Sequence, residues 1–228
     1  PRLSKVCEGI ELCKKEQVDF RLAVGGGSVI DSCKAIGYGV ANPWTDVWNF
    51  FLKTEVPKDC LPIGAIPTIA ASGSEMSGSC VITNEDGWLK RGSTRSDLCR
   101  PKFALLNPRL TYTLPQYQTE SGCVDILMHT MERYFVNLET MEITDSISES
   151  LMQTVIYNAR ILMKEPGNYN ARAEVMWAGS LSHNGLTGCG TGGGDWACHQ
   201  LEHELGGLYD VAHGAGLAAF QTLLAQII

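Results

Sequence analysis

The sequence has no block of basic residues, and its net charge is -7. That argues against nucleic acid or an anionic membrane as the main partner. No apolar run approaches the roughly 18–20 residues of a membrane span, and no signal-peptide pattern is present. The nine cysteines are odd in number and scattered, with no Cys-x-x-Cys pair. Neither a zinc-finger spacing nor a disulfide framework fits them, and a reducing cytoplasm is the expected compartment. Internal repeats and low-complexity tracts are also missing. Charged residues make up only 19% against 44% hydrophobic, so 228 residues can bury the core of one large domain or two small ones. The chain opens at Pro1 in a helical pattern and stops at Ile228 inside another, so it reads as an internal piece of a longer protein.

Histidine is scarce as well, with five in the chain, yet three of them crowd into Thr191–Ala219, TGGGDWACHQLEHELGGLYDVAHGAGLAA. His199 and His203 are four apart, which puts them on one face of a helix. Gly206 and Gly207 are expected to interrupt that helix, with His213 following on a loop. Upstream, Asp125 and His129 in SGCVDILMHTMERY repeat the four-residue spacing. Two helices, each with a pair of ligand-type side chains, plus one loop histidine, make a site for a divalent metal. Spacing alone does not choose between His199 and His203. Asp195, after three glycines, reads as a helix N-cap. His183 has no ligand-type partner at a useful spacing and reads as a packing or surface residue. Glu132, Glu202 and Glu204 read as groups that support ligands or face solvent.

The first part of the chain alternates strands and helices. Residues 1–17 read as a helix and Phe20–Val24 as a short buried strand. Gly25, Gly26, Gly27 and Ser28 then lead into a helix over Val29–Val40, with Ser28 as its cap and Asp31 as the acidic half of a capping box. Strand, glycine turn and helix is a context that suits a phosphate, which backbone N–H groups and the helix dipole can hold. GGGS is not the GxGxxG fingerprint, so a tight capped turn is an equal reading. Residues 41–60 read as loop. Leu61–Pro67 is a second strand, running into a hydroxyl-rich loop from Thr68 to Ser77 whose oxygens suit phosphate and ribose. Cys80–Thr83 and Trp88–Lys90 read as a hairpin, and Phe103–Leu106 as a further strand. Helices follow, over Ser121–Phe135, Met141–Met163 and Ala171–Leu186.

Six ordered stretches carry a resemblance: VGGGSVIDSCK, IPTIAASGSE, ALLNPRLTYTLP, GCVDILMHTMERY, YNARAEVMWA, and DWACHQLEHEL followed by AHGAGLA. With them the chain resembles the iron-containing (group III) alcohol dehydrogenases over essentially its whole length, and within them the butanol-dehydrogenase type. The resemblance implies an α/β, Rossmann-like dinucleotide-binding domain over residues 1–112 and an all-α metal-binding domain over 113–228. Both are expected to be incomplete, in the architecture shared with dehydroquinate synthase. It implies Asp125, His129, His199 and His213 as metal ligands and leaves His203 beside the nicotinamide as a proton relay. Gly26, Gly27 and Ser28 are then expected on the pyrophosphate, and Thr68, Ser72, Ser77 and Lys90 on the rest of NAD(H) or NADP(H). Ile69 and Ser72 stand where the family has threonines, and Asn107 where it commonly has aspartate. Ser72 keeps a hydroxyl, so cofactor binding is expected to survive.

The implied activity moves hydride between NAD(P)(H) and a small primary alcohol or aldehyde such as butanol or butyraldehyde. One carboxylate with three imidazoles suits Fe(II) or Zn(II) and is too nitrogen-rich for Mg or Ca; the resemblance favours iron. Such a cation eases loss of the alcohol proton and polarises the aldehyde carbonyl. A homodimer is expected. The rival readings are a metal-dependent hydrolase, a lyase on the dehydroquinate-synthase-like fold, and an inactive fragment.

Overall fold

The computed structural model describes residues 1–94, 96–136 and 141–224. It divides into two compact units. One is Pro1–Pro67 with Ser74–Leu105, and the other is Thr68–Gly73 with the chain from Leu106 onward. No helix among the described residues is long and apolar enough to cross a membrane.

The first unit is α/β. Helix α1 (Leu3–Lys15) leads to strand β1 (Arg21–Gly25), helix α2 (Gly27–Ala41), the short helix α3 (Trp48–Leu52) and strand β2 (Ile63–Pro67). The hairpin β3 (Val81–Asn84) and β4 (Leu89–Gly92) completes it. β1 and β2 pair in parallel, from Arg21 opposite Ile63 to Gly25 opposite Pro67. Three sequence expectations change here. The apolar run at β1 is half-buried: Ala23 is enclosed with Ile30, Ile63 and Ala65, while Leu22 and Val24 are 48% and 54% exposed. The loop expected over 41–60 holds α3, whose Trp48, Phe50 and Phe51 are core residues packed with Tyr38 and Val6. The strand expected at Phe103–Leu106 is a single bridge, Ala104 to Ala65, although Leu105 N–H still bonds Ala65 O at 2.9 Å.

The start of α2 also departs from expectation. Gly26 is the N-cap, and its carbonyl accepts the N–H groups of Val29 and Ile30 at 3.0 and 3.1 Å. Ser28 lies inside the helix and caps nothing. Asp31 does not turn back to the helix start. Its carboxylate instead accepts Ser74 Oγ at 2.5 Å and the Val81 N–H at 2.8 Å. One turn on, Lys34 is fully buried, and its Nζ donates to Ser74 O, Ser74 Oγ, Ser77 O and Ser79 O at 2.7–2.9 Å. Asp31 and Lys34 of α2 therefore hold the loop before β3.

The second unit is helical: α4 (Gln116–Tyr134), α5 (Glu142–Leu162), α6 (Tyr169–His183), α7 (Ala197–Tyr209) and α8 (His213–Leu224). Apolar faces of α4, α5 and α6 close on Ile126, Leu151, Val155, Leu162 and Val175. Asn168 caps α6 by accepting the Ala171 N–H at 3.1 Å. Asn107 does the same for the 3-10 turn Pro108–Thr111, accepting Arg109 N–H at 3.1 Å, so the amide oxygen performs a task an aspartate could. Asp195 accepts the Ala197 N–H at 3.0 Å, a capping contact made from one residue before the N-cap position at Trp196. Gly206 and Gly207 do not break α7. The helix runs through them, both buried, and ends at Asp210 in the left-handed conformation, φ 53°. His213 is therefore the first residue of α8, where a loop position was expected.

α8 approaches α4 through Gly214. A Cβ built there collides with the carbonyl of Ser121 on α4, which cannot swing aside as a side chain can. Gly214→Ala should therefore cost about 1–3 kcal/mol through forced overpacking and shift its neighbour His213. Gly167→Ala is the control, because nothing lies within 4 Å of a Cβ at that position. Urea unfolding of both variants checks this. Equal midpoints would show that α8 is not set by this contact.

Candidate metal centre

Asp125 and His129 lie one turn apart on α4, His199 near the start of α7, and His213 at the start of α8. The carboxylate oxygen Oδ1 of Asp125 is the common point. The Nε2 atoms of His129, His199 and His213 lie 3.6, 3.6 and 3.7 Å from it. These distances are too long for hydrogen bonds. They match ligand atoms around one cation, since atoms about 2.0–2.1 Å from a tetrahedral metal lie roughly 3.3–3.4 Å apart. Asp125, His129 and His199 are 3%, 4% and 6% exposed, and His199 Nε2 makes no hydrogen bond among the described residues. Burying such groups around nothing is costly, so the donor set fits a divalent metal.

The surroundings push His129 and His199 in opposite directions. Burial, followed by the neighbouring His183, His199 and Arg133, holds His129 well below the usual histidine range. Burial acts downward on His199 too, but the carboxylates of Asp125 and Glu132 outweigh it and raise it to about 9.

Several contributors were not singled out as site residues from sequence. The Glu132 carboxylate bonds His199 Nδ1 through Oε2, and Glu202 bonds His213 Nδ1 in the same way. Of the two readings given to these glutamates, supporting a ligand or facing solvent, the buried contacts favour the first. Arg133 is buried and donates to Ser182 O at 2.8 Å and meets His183 Nδ1 at 3.0 Å. Its guanidinium also lies 4.4 Å from the Trp196 ring centroid. His183 packs on His129 with ring centroids 4.2 Å apart, so its packing role is performed against a site residue. Glu132 and Arg133 follow His129 by three and four residues, one more turn of the same helix, and that spacing was the available signal.

His203 lies on α7, its ring centroid 5.8 Å from that of His213. It forms a second group of possible ligands with Glu202 and His213. Gly26, Gly27 and Ser28 form the first turn of α2, and Lys90 is partly buried on β4, all in the first unit. Ser77 is in the same unit and buried, its Oγ 2.8 Å from Ser79 Oγ and its carbonyl on Lys34. Thr68 and Ser72 belong to the second unit.

Comparison with known proteins bears on this arrangement. The family profile described as iron-containing alcohol dehydrogenase matches residues 1–108. The profile of the C-terminal part of that family matches residues 119–227. NADH-dependent butanol dehydrogenase A of Clostridium acetobutylicum is 43% identical over 218 residues, covering 96% of this chain and 55% of that protein. The NADPH-dependent aldehyde reductase YqhD of Escherichia coli is 37% identical over 221 residues, covering 96% of this chain and 56% of that one. The crystal structure of NADH-dependent butanol dehydrogenase A from Thermotoga maritima superposes with a TM-score of 0.93 at 43% identity, over 96% of this chain and 54% of its own. The chain spans about half the length of the curated relatives it matches.

Proposed function

The chain belongs to the iron-containing alcohol dehydrogenase family, and from that premise we propose that it serves an NAD(P)(H)-dependent alcohol dehydrogenase or aldehyde reductase. The proposed substrates are small primary alcohols and aldehydes, such as butanol and butyraldehyde. The observation that carries this is the approach of three imidazole nitrogens to one Asp125 oxygen. Asp125, His129, His199 and His213 would hold the cation, iron by preference and zinc as the alternative. When bound, the cation acts as a Lewis acid on the substrate oxygen.

The remaining chemistry falls to the chain itself. Gly26, Gly27 and Ser28 present backbone at the start of α2, where the helix dipole favours the cofactor's pyrophosphate. Thr68, Ser72 and Lys90 are proposed as further cofactor contacts. Ser77, with its hydroxyl on Ser79 and its carbonyl on Lys34, is proposed as a further contact of the same kind. His203, one turn from His199, is proposed to pass the alcohol proton to solvent. The named relatives are dehydrogenases and reductases, which does not favour a hydrolase or a lyase. We also propose a homodimer in the cytoplasm. The nine cysteines, all free thiols, suit a reducing compartment.

Oxidation of NADH or NADPH by the metal-loaded chain with butyraldehyde, followed by absorbance, tests the activity. An aldehyde-dependent rate that a chelator removes is expected, and no such rate with either cofactor overturns the reading. His203→Ala should keep the metal but slow turnover by ~10²–10⁴-fold. An unchanged pH–rate profile in that variant would remove His203 from the relay.

A further inference from the structure

We infer that Glu132 and Glu202 are positioning residues that set the tautomer and ring orientation of His199 and His213, so that both Nε2 atoms face the cation. The inference rests on the metal-centre reading above. Glu132 is 6% exposed and comes from α4, the helix that carries Asp125 and His129. Its Oε2 bonds His199 Nδ1, while its Oε1 accepts the N–H groups of Cys198 and His199 at 2.7 and 3.2 Å. The first N–H groups of a helix have no partners within it, and a carboxylate there also meets the positive end of the dipole. One side chain therefore docks the start of α7 on α4 and aims its first ligand. The backbone joins in: Asp195 N–H donates to Glu132 O at 3.2 Å. Gly194, at φ 94°, lets the chain pass, since a Cβ there would sit 2.6 Å from that same oxygen.

Glu202 repeats the arrangement one helix further on. Its side chain, from α7, is fully buried, and Oε2 bonds His213 Nδ1 on α8. Gly216 leaves room for it, because a Cβ there would lie 2.8 Å from Glu202 Cγ. A neutral imidazole that donates Nδ1–H to a carboxylate must present Nε2 as a lone pair. The opposite tautomer puts a hydrogen on Nε2 and cannot ligate. His129 lacks such a bond among the described residues; its Nδ1 makes none, and its ring is held between His183 and His199 at 4.2 and 4.7 Å. The two histidines from α7 and α8 are thus the ones that depend on a carboxylate.

Glutamine separates aiming from capping. In Glu132→Gln the amide oxygen can still accept the Cys198 and His199 N–H groups. The amide NH2, however, faces His199 Nδ1 and favours the tautomer with Nε2–H. The full chain is loaded with Co(II) or Zn(II), and affinity is read by chelator competition and by the Co(II) visible spectrum. Glu132→Gln and Glu202→Gln should each weaken binding by about 10–100-fold and alter the Co(II) spectrum. The unfolding midpoint of the cation-free Glu132→Gln chain should fall, through loss of the carboxylate charge beside His199, but by less than that of Glu132→Ala, which loses the cap as well. If Glu132→Gln does not fold, Glu202→Gln, which caps no helix, carries the test. Wild-type affinity and spectrum in a folded glutamine variant overturn the inference. A wild-type chain that binds no Co(II) overturns the metal-centre reading itself.

Discussion

His199→Ala is expected to bind Co(II) or Zn(II) more than about 100-fold more weakly than the wild type, a larger loss than removing a supporting group gives. Its aldehyde-reducing rate should fall by on the order of 10³-fold, because Lewis-acid catalysis supplies several kcal/mol and each 1.36 kcal/mol is tenfold. Of the proposed ligands, His199 is the one whose Nε2 is both buried and without a hydrogen bond among the described residues. It is also expected to carry the proton that a cation must displace. With its pKa raised to about 9, His199 is protonated at neutral pH in the absence of a cation. Metal uptake at pH 7 should therefore release close to one proton through this residue, and affinity should rise with pH until about 9 and then level off. Calorimetry in two buffers of different ionisation enthalpy reads that proton. In His199→Ala it should disappear. His183→Ala is the comparison, since it removes a ring that packs on His129, centroids 4.2 Å apart, from outside the proposed ligand set. Normal metal occupancy in His199→Ala would remove that residue from the ligand set.

The pairs that generate this centre were readable because they are local. Asp125 and His129 are one helical turn apart, and so are His199 and His203, and periodicity reports such neighbours directly. The choice between His199 and His203 was not local. It depends on which face of α7 meets α4, and Glu132 fixes that by capping α7, across 66 residues of sequence. The errors have the same origin. Gly206 and Gly207 looked like a break because glycine disfavours helices. Both are buried, and tertiary packing carries α7 through them. Ser28 and Asp31 looked like a capping pair because their spacing is right for one. Asp31 instead spends its oxygens on Ser74 and Val81, more than 40 residues away, a partnership no local pattern could announce. β1 looked fully buried because its run of apolar residues gives no alternation to read, yet only one of its faces is covered in this chain.

Lys34→Met should destabilise the α/β unit by about 3–5 kcal/mol, the range found when one member of a buried charged network is removed. Methionine nearly matches the shape of lysine, so little of this loss comes from a cavity. It comes from what the ammonium leaves behind: the carbonyls of Ser74, Ser77 and Ser79 each lose the hydrogen bond they accept from Lys34 Nζ, although Ser74 O still accepts the Ser77 N–H at 3.3 Å. An unsatisfied buried acceptor costs about 1–3 kcal/mol. The Asp31 carboxyl loses a favourable neighbour at the same time. Burial already holds it above its ordinary range, and the Lys34 charge is the first of the effects that oppose this. Against a total stability of about 5–15 kcal/mol, the change brings the unit close to unfolding. The loop from Ser74 to Ser79 should loosen first, since Asp31 and Lys34 are its ties to α2. Lys5→Met is the matched control. Lys5 is 71% exposed and among the described residues pairs with Glu8 on the surface of α1, so its loss should cost well under ~1 kcal/mol. Urea unfolding followed by circular dichroism, with amide exchange across residues 74–81, separates the two. If Lys34→Met unfolds at the same urea concentration as Lys5→Met, water has replaced the ammonium at those carbonyls, and the loop owes its shape to something other than this lysine.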